Sequence, residues 1–195
     1  MNRHQFLTTI GKAGLVVVFP VNAFGQMETI KKLKLKDDGI IPNNKLPLIL
    51  YKNAFEERGR MGAAWLEERF RSNNWTNSWR NGIYSFHHYH SITHEVLGVY
   101  SGSALVHLGG EQGEKVRIEA GDIVVIPAGV GHKNLGSENL GVVGAYPDGR
   151  RWDLMKGLPD ERPIADENIA AVPMPSADPL LGKDAGLIKF WKSVD

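Results

Sequence analysis

Gly82-Ile-Tyr-Ser-Phe-His-His-Tyr-His-Ser-Ile-Thr-His-Glu95 packs four of the chain's seven histidines into eight residues and follows them with a carboxylate. Imidazole and carboxylate together are a donor set for a divalent transition metal. What matters is which of these side chains point the same way. The run over residues 82–90 is rich in aromatics and free of proline, which predicts a strand. Side chains alternate between faces in a strand. Tyr84, Phe86, His88 and His90 then share one face, and His87 and Tyr89 the other. Residues 91–94 read as a short connection and residues 95–102 as the next strand. Pairing of the two strands returns Glu95 to the side of His88 and His90. A third imidazole must come from a distant segment, and His132, after the strand-like run Asp122-Ile-Val-Val-Ile126, is the candidate.

The rest of the middle predicts more short strands, at residues 103–108, 115–118 and 140–146. Gly109-Gly-Glu-Gln-Gly113 reads as a hairpin connection and Glu119-Ala-Gly-Asp122 as a tight turn. Thirteen of the 22 glycines fall between Gly82 and Gly149, where close-spaced turns and barrel corners need them. Short strands with regular turn signals predict an all-β sandwich or barrel.

Two ordered patterns emerge. The first is Gly82, five residues, His88-x-His90, four residues, Glu95, six residues, Gly102; the second is Gly121, five residues, Pro127-x-Gly129, two residues, His132. Together they resemble the two motifs of the cupin superfamily. Gly136 stands where that family often has an asparagine, and an asparagine occurs earlier at Asn134. His87-His-Tyr-His-Ser91, Ile126-Pro-Ala-Gly-Val-Gly-His-Lys-Asn134 and Gly144-Ala-Tyr-Pro-Asp-Gly149 are similar to the YjlB-like group of small, single-domain bacterial cupins. The resemblance implies a cupin-type double-stranded β-helix, or jelly-roll barrel. It also implies one divalent transition metal (Fe, Mn, Ni, Zn, Co or Cu) on His88, His90, Glu95 and His132. It does not imply a reaction. An oxygenase is expected first, a Lewis-acid isomerase or lyase second, and a non-catalytic binding or structural protein third. Glu95 is the candidate base if it leaves the metal, and His94 a candidate proton shuttle on the pocket lip, although a hydrogen-bonding role suits its facing better. Tyr84, Phe86 and Tyr146 are the candidate substrate-pocket residues. His87 faces away from the site, and His107 and Asp122 read as structural.

A chain of 195 residues with 42% hydrophobic content is ordinary for one globular domain. A net charge of +1 gives no electrostatic case for nucleic acid or an anionic membrane, so the expected partners are a small-molecule substrate and a second copy of the chain. Arg3 and His4, the apolar run of residues 13–21 and Ala23-Phe-Gly25 read as an export signal peptide over residues 1–25, close to a twin-arginine pattern with His4 in place of the second arginine. Its removal takes away Arg3 and Lys12 and leaves a net charge near −1. With no cysteine, disulfides and thiolate chemistry are excluded.

Residues 26–80 are expected to form an N-terminal extension, with a loose charged stretch at 31–38, an edge strand at 46–51 and a helix at 56–71. The helix stripe is read as Met61, Ala64, Trp65 and Leu66, packed outside a barrel core of residues 81–147. Six of the ten prolines fall after Tyr146, five of them in residues 148–195. That segment is expected to be an irregular tail, with a helical turn near 166–171, wrapping the barrel or a dimer interface.

Overall fold

The computed structural model describes residues 29–192, and the export signal read over residues 1–25 lies outside the described residues. The chain runs β1 (Thr29–Leu33), β2 (Leu48–Lys52), α1 (Gly59–Ser72), β3 (Trp75–Asn81), β4 (Glu95–Leu108), β5 (Glu114–Glu119), β6 (Ile123–Ile126), β7 (His132–Pro147), α2 (Ile164–Ala171) and α3 (Leu187–Lys192). The strands pair in the order β1-β2-β6-β4-β7-β3, with β5 on the far half of β4. Every ladder is antiparallel. This is the expected jelly-roll architecture.

The two strands read at 95–102 and 103–108 are one. β4 spans both because bulges let it bend without ending: its first part pairs with β6, its second with β5, and β7 follows it throughout. Gly102 sits at the bend with φ +64°, where a Cβ would strike the main chain of Glu138 and Asn139.

Two apolar clusters lie on opposite faces of the wall. Leu48, Leu50, Leu97, Val99, Val124, Ile126 and Val142 fill the barrel interior. Ile49, Tyr51, Val96, Val125, Val143 and Ala145 face outward onto Leu66 and Phe70 of α1 and Leu187 and Trp191 of α3. Burial on both faces explains why β2 and β6 read as continuous apolar runs with no polar alternation.

That double burial also corrects the reading of residues 46–51 as an edge. β2 lies between β1 and β6, and the edge is β1, cut from the stretch expected to be loose. Its lysines suit an edge, where charge deters pairing with another chain. β1, β2 and β3 are therefore part of the sheet, which is not confined to residues 81–147. In α1 the buried stripe is Gly62, Ala63, Leu66 and Phe70, while Met61 is exposed. The buried stripe lies about one residue round the helix from Met61, Ala64 and Trp65, because Gly62, which has no side chain to mark it as apolar, makes a close approach to the sheet.

The tail packs on the outer cluster. Trp75 Nε1 donates to Ala177 O at 2.9 Å, Arg69 Nε to Leu180 O at 2.6 Å and Trp191 Nε1 to Pro47 O at 2.9 Å. Asp178 organises this closure. Its Oδ1 accepts from the amides of Leu180 and Leu181, and its Oδ2 from the amide of Leu187 and the Tyr51 hydroxyl.

Candidate metal centre

Residues 82–90 are not a strand. After β3 ends at Asn81 the chain runs irregularly, held by two isolated bridges, His88 with His132 and Tyr89 with Met155. The bridges impose extended geometry only where it is needed. His88 N donates to His132 O at 3.2 Å and His132 N to His88 O at 2.9 Å. Locally, alternation still holds: His88 and His90 face inward, and Tyr89 between them faces away to bond Glu161 through its hydroxyl at 2.9 Å.

Three imidazoles converge. One ring nitrogen from each of His88, His90 and His132 falls within a cluster whose members lie no more than 4.8 Å apart. All three residues are buried. β7 begins at His132 and β4 at Glu95, so the ends of two central strands deliver the distant donors.

The Nδ1 atoms fix the chemistry. His88 Nδ1 faces Phe86 O at 3.3 Å, His132 Nδ1 faces Val130 O at 3.2 Å, and His90 Nδ1 faces Asp153 O at hydrogen-bond distance. A carbonyl only accepts, so each Nδ1 carries a proton and Nε2 is the nitrogen turned toward the cluster, open to an ion once it holds no proton. This is how orienting partners prepare imidazoles as metal ligands.

Glu95 sits beside two of the three. Its Oε1 is 3.5 Å from His90 Nε2 and its Oε2 is 3.3 Å from His132 Nε2. The Tyr146 hydroxyl donates to Oε1 at 3.0 Å and accepts from Trp79 Nε1 at 2.8 Å. Oε2 is buried and lacks a hydrogen-bond partner. A buried carboxylate oxygen with no hydrogen-bond partner, set among three imidazole nitrogens, is what a cation would satisfy. The residues therefore fit a divalent ion.

The charges agree. Burial opposes ionisation of Glu95, but the neighbouring His90 and His132 imidazoles outweigh it and hold the carboxyl low. Burial likewise opposes protonation of His90, but Glu95 outweighs it and raises the imidazole. Burial, with His132 adding to it, pushes His88 down to about 3. Without metal the centre holds a His90–Glu95 ion pair beside a neutral His88.

The centre forms the floor of a cavity of about 400 Å³, walled by Trp79, Tyr84, Tyr146 and Trp152 with Arg80 and Asn81 at its mouth. Tyr84 and Tyr146 thus lie where the sequence put them. Phe86 does not line the cavity: it stacks on Tyr84 at 5.0 Å with Lys156 over its other neighbourhood, because the chain there leaves strand geometry. His94 is not on the pocket lip. It is buried on the far side, 4.8 Å from Trp191, with Nδ1 accepting from the Ala128 amide at 2.9 Å. Burial pushes it down to about 3, so it is a neutral structural group.

Trp79, Trp152 and Asp153 escaped the sequence reading. Trp79 reaches Tyr146 only because Gly144 lies beneath its indole, where any Cβ would collide. Asp153 also clamps Ser91, accepting from its amide at 2.7 Å. Tyr146→Phe should strand both Trp79 Nε1 and Glu95 Oε1. It is expected to weaken divalent-metal binding about 10–100-fold, as loss of an orienting partner does elsewhere. Competition against a chelator measures this, and unchanged affinity would mean that Tyr146 does not orient Glu95.

No protein-family model matches the chain. It is 43% identical over 158 residues, covering 80% of this chain and 92% of the relative, to the uncharacterized protein YjlB of Bacillus subtilis strain 168. Among solved structures, Bacillus subtilis oxalate decarboxylase, whose study names Mn(II) centres, is similar at 20% identity and a TM-score of 0.31, covering 56% of this chain and 22% of that one. Acireductone dioxygenase from Bacillus anthracis, with cadmium in its active centre, is similar at 15% identity and a TM-score of 0.35, covering 47% and 62%. This chain thus spans less than two thirds of either structure. With most of both sequences aligned at 43% identity, the chain belongs to the same family as YjlB.

Proposed function

We propose that this cupin is a metal-dependent enzyme of the oxygenase type, holding one divalent transition ion on His88, His90, His132 and Glu95 and acting on a small organic substrate in the cavity above. The observation that carries this is the set of three Nδ1–carbonyl contacts, which turn three Nε2 atoms toward one point on the floor of an open cavity. A filled barrel would favour a purely structural role, and a cavity of about 400 Å³ leaves room for a ligand instead. A redox-active ion bound there supplies the Lewis acidity and electron transfer that dioxygen chemistry needs.

The chain's own residues do the rest. Trp79, Tyr84 and Trp152 give the cavity flat apolar walls suited to a planar substrate. Arg80 is held by a bidentate pair with Glu67 at 2.7 Å, so its charge is largely matched and it stiffens the mouth. Tyr146 keeps its proton, since burial and Glu95 both raise it, and so keeps one Glu95 oxygen oriented. The test is an oxygen electrode: protein loaded in turn with Fe, Cu, Mn, Ni, Co or Zn, against small aromatic and enediol-forming compounds. Oxygen uptake with Fe or Cu supports the reading.

A second reading rests on Glu95 Oε2, the buried oxygen with no hydrogen-bond partner, which can take a proton from a substrate carbon. The enzyme is then an isomerase or lyase, and turnover appears with Mn, Zn or Ni and no oxygen uptake. Export through residues 1–25 belongs to the same proposal, and a mature chain that starts at Gln26 would support it.

Binding should depend on pH. His90 holds a proton on Nε2 at a raised pKa in the metal-free centre, and the ion must expel it. Affinity is expected to fall about tenfold per pH unit once pH drops below that value, which lies above the ordinary imidazole value of about 6.5. Titration in weak buffer should register one proton released per ion. Constant affinity between pH 8 and about pH 5 would contradict the protonated His90.

A further inference from the structure

We propose that His87, His107 and Glu111 form a second divalent-metal site on the outer face of the barrel wall, back to back with the first. The placement follows from alternation. His87 and His88 are consecutive, and as His88 turns inward His87 turns out. Leu108 of β4 pairs with His132 of β7, and one step along His107 pairs with Lys133. The wall that sends His132 in therefore sends His107 out. Glu111 comes from the turn after β4 and closes the cluster.

The geometry is that of a ligand set. One donor atom from each of the three residues lies within 4.8 Å of the others. His87 Nε2 is 3.3 Å from Glu111 Oε1, and the two imidazoles stand 4.9 Å apart. His107 is 3% exposed. Both ring nitrogens of His87 are buried with no hydrogen-bond partner. Such nitrogens cost a hydrogen bond each unless something supplies a partner. A divalent ion does so for one of them. Two imidazoles and one carboxylate suit Zn²⁺, Co²⁺ or Ni²⁺, with solvent completing the coordination. Glu111 is largely exposed, so the ion has an entry path.

Lys133 is the competing cation. Its Nζ is 3.0 Å from the same Glu111 oxygen, and it must swing aside on a flexible stem when the ion binds. The outer site is therefore weaker than the inner one, where no lysine competes among the residues described.

The test is metal titration of the full chain, stripped with a chelator and then dialysed against Zn²⁺ or Co²⁺ with elemental analysis. Wild type is expected to take two equivalents. Glu111→Gln, at an exposed position that folding tolerates, and His107→Gln should each lose the weaker one. His88→Ala with His90→Ala should lose the tighter one. Lys133→Gln should tighten the weaker site about tenfold by removing a like charge. A wild type that takes a single equivalent untouched by Glu111→Gln would overturn the proposal, as would two equivalents that survive both outer-site variants. If only the outer-site variants lower the stoichiometry, the outer site stands and the inner assignment falls.

Discussion

His88→Ala combined with His90→Ala is expected to remove one tightly bound divalent ion per chain and, with it, turnover. Two of three converging Nε2 atoms disappear, leaving His132 and Glu95 without a common partner. Zinc sites with four ligands bind with about 10–16 kcal/mol, or roughly 3 kcal/mol per ligand, so two lost ligands weaken binding about 10⁴-fold or more. Elemental analysis after dialysis measures the stoichiometry, and near-ultraviolet circular dichroism checks that the barrel persists. A folded double variant that keeps the wild-type stoichiometry at wild-type affinity would refute the centre as assigned. The single variant His94→Ala is the contrast. It leaves a hole beneath Trp191 and should lower stability while sparing metal stoichiometry, because His94 faces the other side of the wall.

Asp178→Ala should cause the largest loss of stability. The carboxylate is fully buried and serves four donors: the Tyr51 hydroxyl and the amides of Leu180, Leu181 and Leu187. Alanine leaves all four in the interior unsatisfied. Removing one partner from a buried charged network costs about 3–5 kcal/mol. For a domain of this size that is a fall in Tm of about 6–20 °C. Tyr51→Phe removes a single bond and should cost only about 1–2 kcal/mol. Denaturant unfolding separates the two. If Asp178→Ala lies within about 1 kcal/mol of wild type, the tail is fastened by its apolar contacts alone.

The inner centre was legible because its residues obey short-range rules. His88 and His90 share a side by alternation, Glu95 opens a strand whose apolar run is plain in the sequence, and His132 follows the apolar run 123–126. That His132 itself opens β7 was hidden by the polar first half of that strand. Alternation survived even where the strand did not: two bridges at His88 and Tyr89 were enough to keep it. Two residues before His88 there is no bridge, and Phe86 packs on Tyr84 without lining the cavity. The same rule failed for β2, since a strand buried on both faces has no polar side to mark its place in the sheet. Asp153 and Trp79 could not be read at all. Asp153 bonds a histidine 63 positions away and Trp79 a tyrosine 67 positions away, and nothing local marks either partner.

The closure by residues 177–191 has a consequence for how the molecule is made. Synthesis proceeds from the N-terminus, so these residues emerge after every strand of the sheet. Until they do, Tyr51, Val96, Val125 and Val143 present an apolar face that α1 covers only in part, and Trp191 has not yet sealed His94. The nascent sheet is therefore sticky until this closure forms, and the closure comes after the metal-binding residues are already in place. A chain stalled or clipped before Asp178 should carry a near-complete set of inner ligands on a barrel that self-associates.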